Sequence, residues 1–321
     1  MIDQSSSPAF GSASTTSRAV SRRGFLGAAL AMGTLPALAA CSNLVAPRPD
    51  YGVEVLSALA SRDAKVLNDA DANLAALRQA QLTALNEEIT RACGTRKDGK
   101  PVEECGTDRA IDVPLPPNAT PKDVLMDARS NVALTDCLEN RNTLRADHTA
   151  RLATAVDGGL VLGLRAAGAD WEELIPPVPV GDGLTADAEE QLTTALKAEY
   201  MLIYGVGVAA PATTADATSA LMARGDRHRM LRDRARTVLE ASGAEVPEGA
   251  AGYMPKDVPS PQQKPVEYIT ALERYCAQAW EDVFKAAKNG SMRLFALQAA
   301  GVAAGGAAAM AGNDLEPLPG L

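Results

Sequence analysis

The sequence predicts an all-α protein in which a long antiparallel helical hairpin is followed by a four-helix bundle. Through most of the chain, apolar residues recur every three or four positions, which is the spacing of one helical face. Hydrophobic residues make up 46% of the composition and aromatic residues only 4%. Much of the apolar content is alanine, whose small side chain suits closely packed helices better than sheets.

The N-terminal residues 1–40 have the pattern of a bacterial export signal. Arg22 and Arg23 stand directly before an apolar run over residues 25–40, as in signals of the twin-arginine type. The run contains glycines and a proline and is shorter than the roughly 18 residues that a membrane-spanning helix needs. We therefore expect a cleaved signal and not a membrane span.

Cys41 is the predicted lipid-attachment residue. The tetrapeptide at residues 38–41, LAAC, resembles the lipobox of bacterial lipoproteins, in which cleavage leaves the cysteine as the first, lipid-modified residue. The alternative is an ordinary small-residue cleavage site followed by a coincidental cysteine. We expect residues 41–51 to form a short tether and the protein to lie on the outer face of the cytoplasmic membrane.

The charge of the chain limits its partners. The formal net charge is −9, and the predicted signal carries more basic than acidic residues, so the mature chain is more acidic still. An acidic chain is poorly suited to bind nucleic acid or anionic lipid. We therefore expect membrane contact through the lipid on Cys41, an envelope protein as the possible partner, and no nucleic acid.

The hairpin region is predicted over residues 52–180. Apolar residues follow one helical face over residues 53–92, which predicts a single long helix that ends at Gly94. A threonine and a proline at residues 120–121 supply an N-cap and a first-turn proline for a second helix. The glycine pair at residues 158–159 is expected to break or kink it.

The bundle is predicted over residues 181–321, after a linker rich in proline and glycine. Whether the hairpin docks on this bundle is left open by the sequence. The same capping and periodicity rules predict helices over residues 185–211, 215–242, 265–288 and 291–310. Thr185 is the expected N-cap of the first of these helices, and Ser291 that of the last.

The last of these helices has two interpretations. Residues 294–313 contain no charged side chain, and Gly301 and Gly305 form a G-x-x-x-G pattern. Both features are typical of membrane spans. However, the segment is mostly alanine and glycine and includes Gln298. A buried bundle helix is therefore favoured, in which the glycines permit close backbone approach.

Four cysteines remain after Cys41. Export to an oxidising compartment favours disulfides, for which three connectivities exist. Cys93 and Cys105 flank a polar loop, so we expect them to pair with each other and Cys137 to pair with Cys276. A zinc site is not favoured, because the chain has no C-x-x-C motif and only two histidines.

Three short segments carry a resemblance to a known family. They are Ala198-Glu199-Tyr200, the run around His228 at residues 226–232 (DRHRMLR), and Leu272-Glu273-Arg274. In this order, and behind the export signal, they resemble the ferritin-like domain family of unknown function found in actinobacterial twin-arginine-exported lipoproteins. The resemblance covers residues 185–312 and implies a ferritin-like four-helix bundle.

The resemblance also implies a candidate metal site. Ferritin-like di-iron proteins use a glutamate from each of two helices and a Glu-x-x-His pair from each of the other two. Glu199, His228 and Glu273 match part of this set, but position 225 is glycine and residues 291–310 hold no acid or histidine. A single iron or other divalent ion is the metal-binding hypothesis. The alternative is a buried Glu199 neutralised by His228 or by one of the arginines Arg224, Arg227 and Arg232.

No catalytic residue is predicted. The chain has no nucleophile elbow, P-loop, Rossmann glycine motif or H-E-x-x-H sequence, and His148 has the spacing of a packed or rim residue on its helix. We therefore expect a non-enzymatic binding or interaction role without a cofactor. The competing hypothesis is a metal-binding ferritin-like protein, an oxidase or a metal store, with a reduced ligand set.

Overall fold

The computed structural model describes residues 51–94, 114–115, 117–131, 143–179 and 184–321. Over these ranges the chain forms α-helices and one short 3-10 turn, without a strand, which confirms the predicted all-α class. The predicted export signal with Arg22 and Arg23, the predicted lipid-attachment residue Cys41, and Cys105 and Cys137 lie outside the described residues. Predictions made for them therefore stay predictions.

The first helical segment is a hairpin of two helices, α1 (Tyr51–Leu67) and α2 (Ala72–Cys93). The prediction of one long helix over residues 53–92 is wrong. Asp71 accepts hydrogen bonds from the backbone N–H groups of Asn73 and Leu74 and so caps a new helix. The helical spacing of apolar residues continues across this turn, because both helices bury apolar faces and pack against each other.

Buried polar contacts hold this hairpin together and connect it to the rest of the protein. Asp63 of α1 forms a fully buried ion pair with Arg78 of α2, with Nη2 and Oδ2 2.8 Å apart. Gln81 then donates from Nε2 to the carbonyl oxygens of Val156 and Pro317, at 3.0 and 2.8 Å. Residues far apart in sequence therefore meet in one core.

The second segment contains α3 (Pro121–Ser130), α4 (Thr143–Ala166) and the single turn α5 (Trp171–Leu174). Thr120 caps α3 as predicted, in a capping box with Asp123. The expected single helix is wrong here as well, because α3 ends at an extended Asn131.

The glycine pair at residues 158–159 does not break its helix. The helix α4 runs through both glycines to Ala166. A Cβ atom on Gly159 would lie 2.2 Å from the carbonyl oxygen of Pro317, so the lack of a side chain is needed for the close approach of the C-terminal segment and not for a bend.

The third segment supplies the four long helices of the predicted bundle. Thr185 caps the first of them as predicted, whereas Asn289, and not Ser291, caps the last one. The helix bounds agree with the predicted ranges to within a few residues, and the helices are α6 (Ala186–Ala209), α7 (Ala215–Ser242), α8 (Pro265–Ala286) and α9 (Gly290–Met310).

The hairpin region and the bundle share one core. In the bundle, α6 packs against both α7 and α8, and α8 packs against α9. The helix α4 then packs on α9 and also contacts α8, so the described residues belong to one compact unit. The linker at residues 176–183 therefore joins two parts that pack against each other.

Among the described helices, α9 is the one that is long and apolar enough to cross a membrane, with a mean hydropathy of 1.2 in its most apolar window. However, 83% of that window is buried inside the protein. A Cβ atom on Gly305 would lie 3.0 Å from the carbonyl oxygen of Gly158 in α4. These features are those of the buried bundle helix that the sequence favours.

A buried ion pair fastens α3, α4 and α9 together. The guanidinium of Arg129 donates to the carboxylate of Asp157, with Nε and Oδ1 3.1 Å apart, and also to the carbonyl oxygens of Leu174 and Gln298. Gln298 donates in return to the carbonyl oxygen of Arg129 at 3.0 Å. Gln298 is thus a core residue with a specific partner.

Candidate functional site

The predicted site residues meet in the interior of the bundle. Glu199 lies in the middle of α6, His228 in the middle of α7, and Glu273 in α8; each is 0% exposed. Gly225, one turn before His228, packs against α6, and a Cβ atom there would lie 3.3 Å from Val206 Cγ1. The helix contact therefore occupies the position at which a Glu-x-x-His motif would carry its glutamate.

His228 is held between the two glutamates. Its Nδ1 lies 2.6 Å from Glu199 Oε2, and its Nε2 lies 2.9 Å from Glu273 Oε2. The indole Nε1 of Trp280 donates to the other oxygen of Glu199, Oε1, at 2.7 Å. The three predicted residues are therefore together, but the two carboxylates face opposite nitrogens of one ring. We call Glu199, His228 and Glu273 the buried triad.

Two arginines extend the triad on the Glu273 side. Arg227 donates from Nη2 to Glu273 Oε1 at 2.8 Å, and Arg224 lies 3.4 Å from the same oxygen. Arg224 also donates to the carbonyl oxygen of Gly306 at 2.8 Å. A side chain at Gly306 would collide with this group, since a Cβ atom there would lie 2.7 Å from both Arg227 Nη2 and Glu273 Oε1.

An aromatic side chain from the hairpin region covers this cluster. The guanidinium carbon of Arg227 lies 3.9 Å from the centre of the Trp171 ring, a cation–π contact. Trp171 belongs to the short helix α5, and no local motif connects it with α7. By contrast, the contact of Trp280 with Glu199 could have been anticipated, because Trp280 lies two turns after Glu273 on the same face of α8.

The charges of neighbouring side chains determine the ionisation states of His228 and Glu273. Burial lowers the pKa of His228, but the negative charges of Glu199 and Glu273 outweigh it and raise the pKa to about 9. Burial raises the pKa of Glu273, but His228 and Arg227 outweigh it and lower the pKa to about 2. At neutral pH, His228 is therefore an imidazolium that donates from both nitrogens, and Glu273 is a carboxylate.

The arginine alternatives for Glu199 are resolved by these contacts. Glu199 is bonded to His228 and Trp280, whereas Arg224 and Arg227 bond to Glu273. Arg232 instead pairs with its neighbour Asp233 near the surface, at 2.7 Å.

Cys276 also belongs to the cluster. It is a free and fully buried thiol, so the predicted disulfide between Cys137 and Cys276 is wrong. Its position on α8, three residues after Glu273, directs it into the bundle core. Burial raises the pKa of the thiol well above its usual value, and the negative charges of Glu199 and Glu273 add to this effect.

The remaining cysteine and histidine lie elsewhere. Cys93, at the end of α2, is disulfide-bonded, and its predicted pairing with Cys105 stays a prediction because Cys105 falls outside the described residues. His148 is half-exposed on α4, with Nε2 3.0 Å from Glu88 Oε2. It is thus a rim residue, as expected, and takes no part in the cluster.

A separate groove opens on another face of the protein. Its volume is about 480 Å³, and it lies between α4, α8, α9 and the last residues of the chain. Alanines of α9 contribute to its lining, together with Arg151, Arg274 and the buried Glu281. Unlike the triad, it can be reached from solvent.

The cluster lies within a segment of the chain that matches a known protein-family model. Residues 191–321 match a domain of unknown function (DUF4439). No curated protein and no solved structure matches the chain. The matched segment contains most of α6 and all of α7, α8 and α9, and hence the entire triad and Cys276. The chain is therefore similar to a domain without an assigned activity, and its function has to be argued from the site itself.

Proposed function

We propose that the mature protein is a lipoprotein, anchored through Cys41 to the outer face of the cytoplasmic membrane, whose helical body has a non-enzymatic binding or interaction role. The anchor rests on the twin-arginine pattern with Arg22 and Arg23 and on the lipobox-like residues 38–41. The acidic balance of the chain supports an envelope protein as its partner rather than nucleic acid or anionic lipid.

The main support for a non-enzymatic role is that the buried triad is inaccessible to solvent. Glu199, His228 and Glu273 are fully buried, and each ring nitrogen of His228 already has a carboxylate partner. A general acid or base has to come within hydrogen-bonding reach of the reacting group. The triad reaches no solvent, so it supports a role in fixing α6, α7 and α8 against one another.

The membrane anchor is tested by cell fractionation. We expect the protein with its own signal in the membrane fraction and Cys41→Ala released as an exported soluble protein. A variant with Arg22→Lys and Arg23→Lys should remain in the cytoplasm. Ser42→Ala, next to the lipid-attachment residue, is the matched control and should stay membrane-bound. Membrane attachment of Cys41→Ala would contradict the proposal and favour α9 as a span.

The interaction role is tested by cross-linking in intact cells, followed by purification of the protein from detergent-solubilised membranes. We expect a specific envelope protein to be recovered with the wild type, and its yield to fall when Cys41→Ala removes the protein from the membrane. Failure to recover any specific partner, together with tightly bound stoichiometric iron, would reject this role.

The alternative function is that of a metal-binding ferritin-like oxidase or metal store. It is supported by one observation: ligand atoms of Glu199, His228 and Cys276 lie close enough together to hold an ion. Twin-arginine export carries folded proteins and is thus compatible with a metal acquired before export. Stoichiometric iron in the natively exported protein, together with oxygen consumption after iron addition, would favour this alternative over the proposed role.

A further inference from the structure

Three different metal-ligand types meet at one point in the bundle. A nitrogen of His228, a carboxylate oxygen of Glu199 and Sγ of Cys276 all lie within 4.8 Å of one another, and all three residues are buried. Imidazole nitrogen, carboxylate oxygen and thiolate sulfur are the ligands that zinc takes in proteins. Each comes from a different helix, so an ion bound there would join α6, α7 and α8.

Two of these ligands, Glu199 and His228, are each held in place by a further hydrogen-bonding side chain. Trp280 donates to Glu199 Oε1, which leaves Oε2 directed towards Nδ1 of His228. Glu273 faces the opposite nitrogen, Nε2, at 2.9 Å. Metal-bound histidines almost always donate their second N–H to a carboxylate or carbonyl oxygen, which fixes the tautomer and the orientation of the ring. Glu273 occupies this outer position.

We propose that Glu199, Nδ1 of His228 and Cys276 bind a zinc ion, with Glu273 and Trp280 as positioning residues. This ligand set differs from the one expected from the sequence, because Cys276 replaces Glu273 as a direct ligand. The absence of a C-x-x-C motif does not argue against it, since the fold brings a single cysteine and a single histidine together from separate helices.

Zinc binding removes two protons from the cluster and leaves its total charge unchanged. The thiol of Cys276 and Nδ1 of His228 both have to lose a proton before they can bind the ion. The positive charge of the zinc ion therefore replaces that of the protons that leave.

The closure of the site indicates when the ion enters. Because the three ligands are fully buried, the ion is taken up as the bundle folds. Folding in the cytoplasm, where thiols stay reduced, followed by export of the folded protein, is compatible with an intact Cys276 ligand. Zinc binding at this site does not depend on the membrane anchor at Cys41.

The test has two measurements on the full mature chain. First, protein exported from cells grown with added zinc is analysed for metal content, and we expect about one zinc ion per chain. Second, the protein is unfolded with a chelator and refolded with Co²⁺. We expect a thiolate-to-cobalt charge-transfer absorption in the wild type and in His148→Ala, which removes the other histidine of the chain. We expect its loss in Cys276→Ala.

Two further variants keep the result interpretable. Should Cys276→Ala not refold, as judged by helical circular dichroism, Cys276→Ser replaces it and should also lack the absorption. Glu273→Gln should retain the absorption but bind Co²⁺ about 10- to 100-fold more weakly, the usual effect of losing an outer partner. A refolded wild type without the absorption, or equal absorption in the wild type and the Cys276 variants, would overturn the proposal.

Discussion

Gly301 of α9 lies so close to Asp157 of α4 that a Cβ atom at position 301 would come within 2.0 Å of Asp157 Oδ2. The same carboxylate is the partner of Arg129, and all of these groups are buried. The contact joins the hairpin region to the bundle, and it depends on the absence of a side chain at one position of the G-x-x-x-G pattern.

Gly301→Ala should therefore destabilise the protein. The added methyl group displaces Asp157 from its place beside Arg129, and we expect the free energy of unfolding to fall by about 1–3 kcal/mol, the usual cost of overpacking a core. Urea unfolding followed by circular dichroism measures it. Gly207→Ala is the matched control, because a Cβ atom on this exposed glycine of α6 meets nothing within 4 Å. It should stabilise the helix by about 0.5–1 kcal/mol, and equal losses for both variants would contradict the prediction.

Glu199→Ala should be strongly destabilising even in metal-free protein. The substitution removes one carboxylate from the buried His228 and leaves the indole N–H of Trp280 without its acceptor. Breaking a buried ion pair in this way costs roughly 3–5 kcal/mol. The measurement is urea unfolding in the presence of a chelator.

Glu240→Ala provides the control for this experiment. Glu240 is exposed and lies 3.8 Å from Arg236 at the end of α7, so its loss should change stability by no more than about 0.5 kcal/mol. A Glu199→Ala effect that appeared only when metal was present would show that Glu199 acts as a ligand without a structural role of its own.

The helices that the sequence predicts well are those with capping residues at their ends. Thr120 and Thr185 both cap helices at the expected positions, and a proline marks the start of α8. The break between α1 and α2 is harder to predict, because the apolar spacing runs through it and only the cap formed by Asp71 marks the start of the second helix. The glycines at residues 158–159 allow α9 and the C-terminal segment to approach closely. No local sequence pattern indicates this kind of contact.

The candidate site is only partly predictable for a related reason. Glu199, His228 and Glu273 lie on the apolar faces of their helices, and helical periodicity brings them inward. The role of Cys276 depends on which helices are neighbours, so the sequence instead favoured a disulfide for it. Trp171 covers Arg227 from a different part of the chain, a contact that only the packing of α5 on the bundle determines.

The ionisation of Asp157 should make stability depend on pH. Burial raises the pKa of Asp157 to about 6, an effect that the positive charge of Arg129 opposes without cancelling. The folded state thus binds this proton more tightly than the unfolded chain, whose aspartates have a pKa near 3.8. The contribution to stability is complete below the unfolded pKa and is lost as the pH rises through 6.

This loss amounts to roughly 3 kcal/mol, at about 1.4 kcal/mol for each pKa unit. Urea unfolding at a series of pH values between 4 and 7 measures it. Asp157→Asn should remove this component, although its stability will be lower overall because Arg129 loses its charged partner. Asp216→Asn, at an exposed position in the first turn of α7, should leave the pH profile parallel to that of the wild type. A wild-type profile parallel to that of Asp157→Asn would contradict the prediction.

The thiol of Cys276 should be chemically silent in the folded protein. It is fully buried, and its raised pKa disfavours the reactive thiolate. We expect no reaction with a maleimide in chelator-treated native protein and complete reaction after unfolding, both read by mass spectrometry of the peptide that contains Cys276. Gly207→Cys, which places a thiol on an exposed face of α6, should react at once in the native state. Recovery of Cys276 in a disulfide-linked peptide with Cys137 would instead restore the pairing expected from the sequence, and it would remove Cys276 from the proposed zinc site.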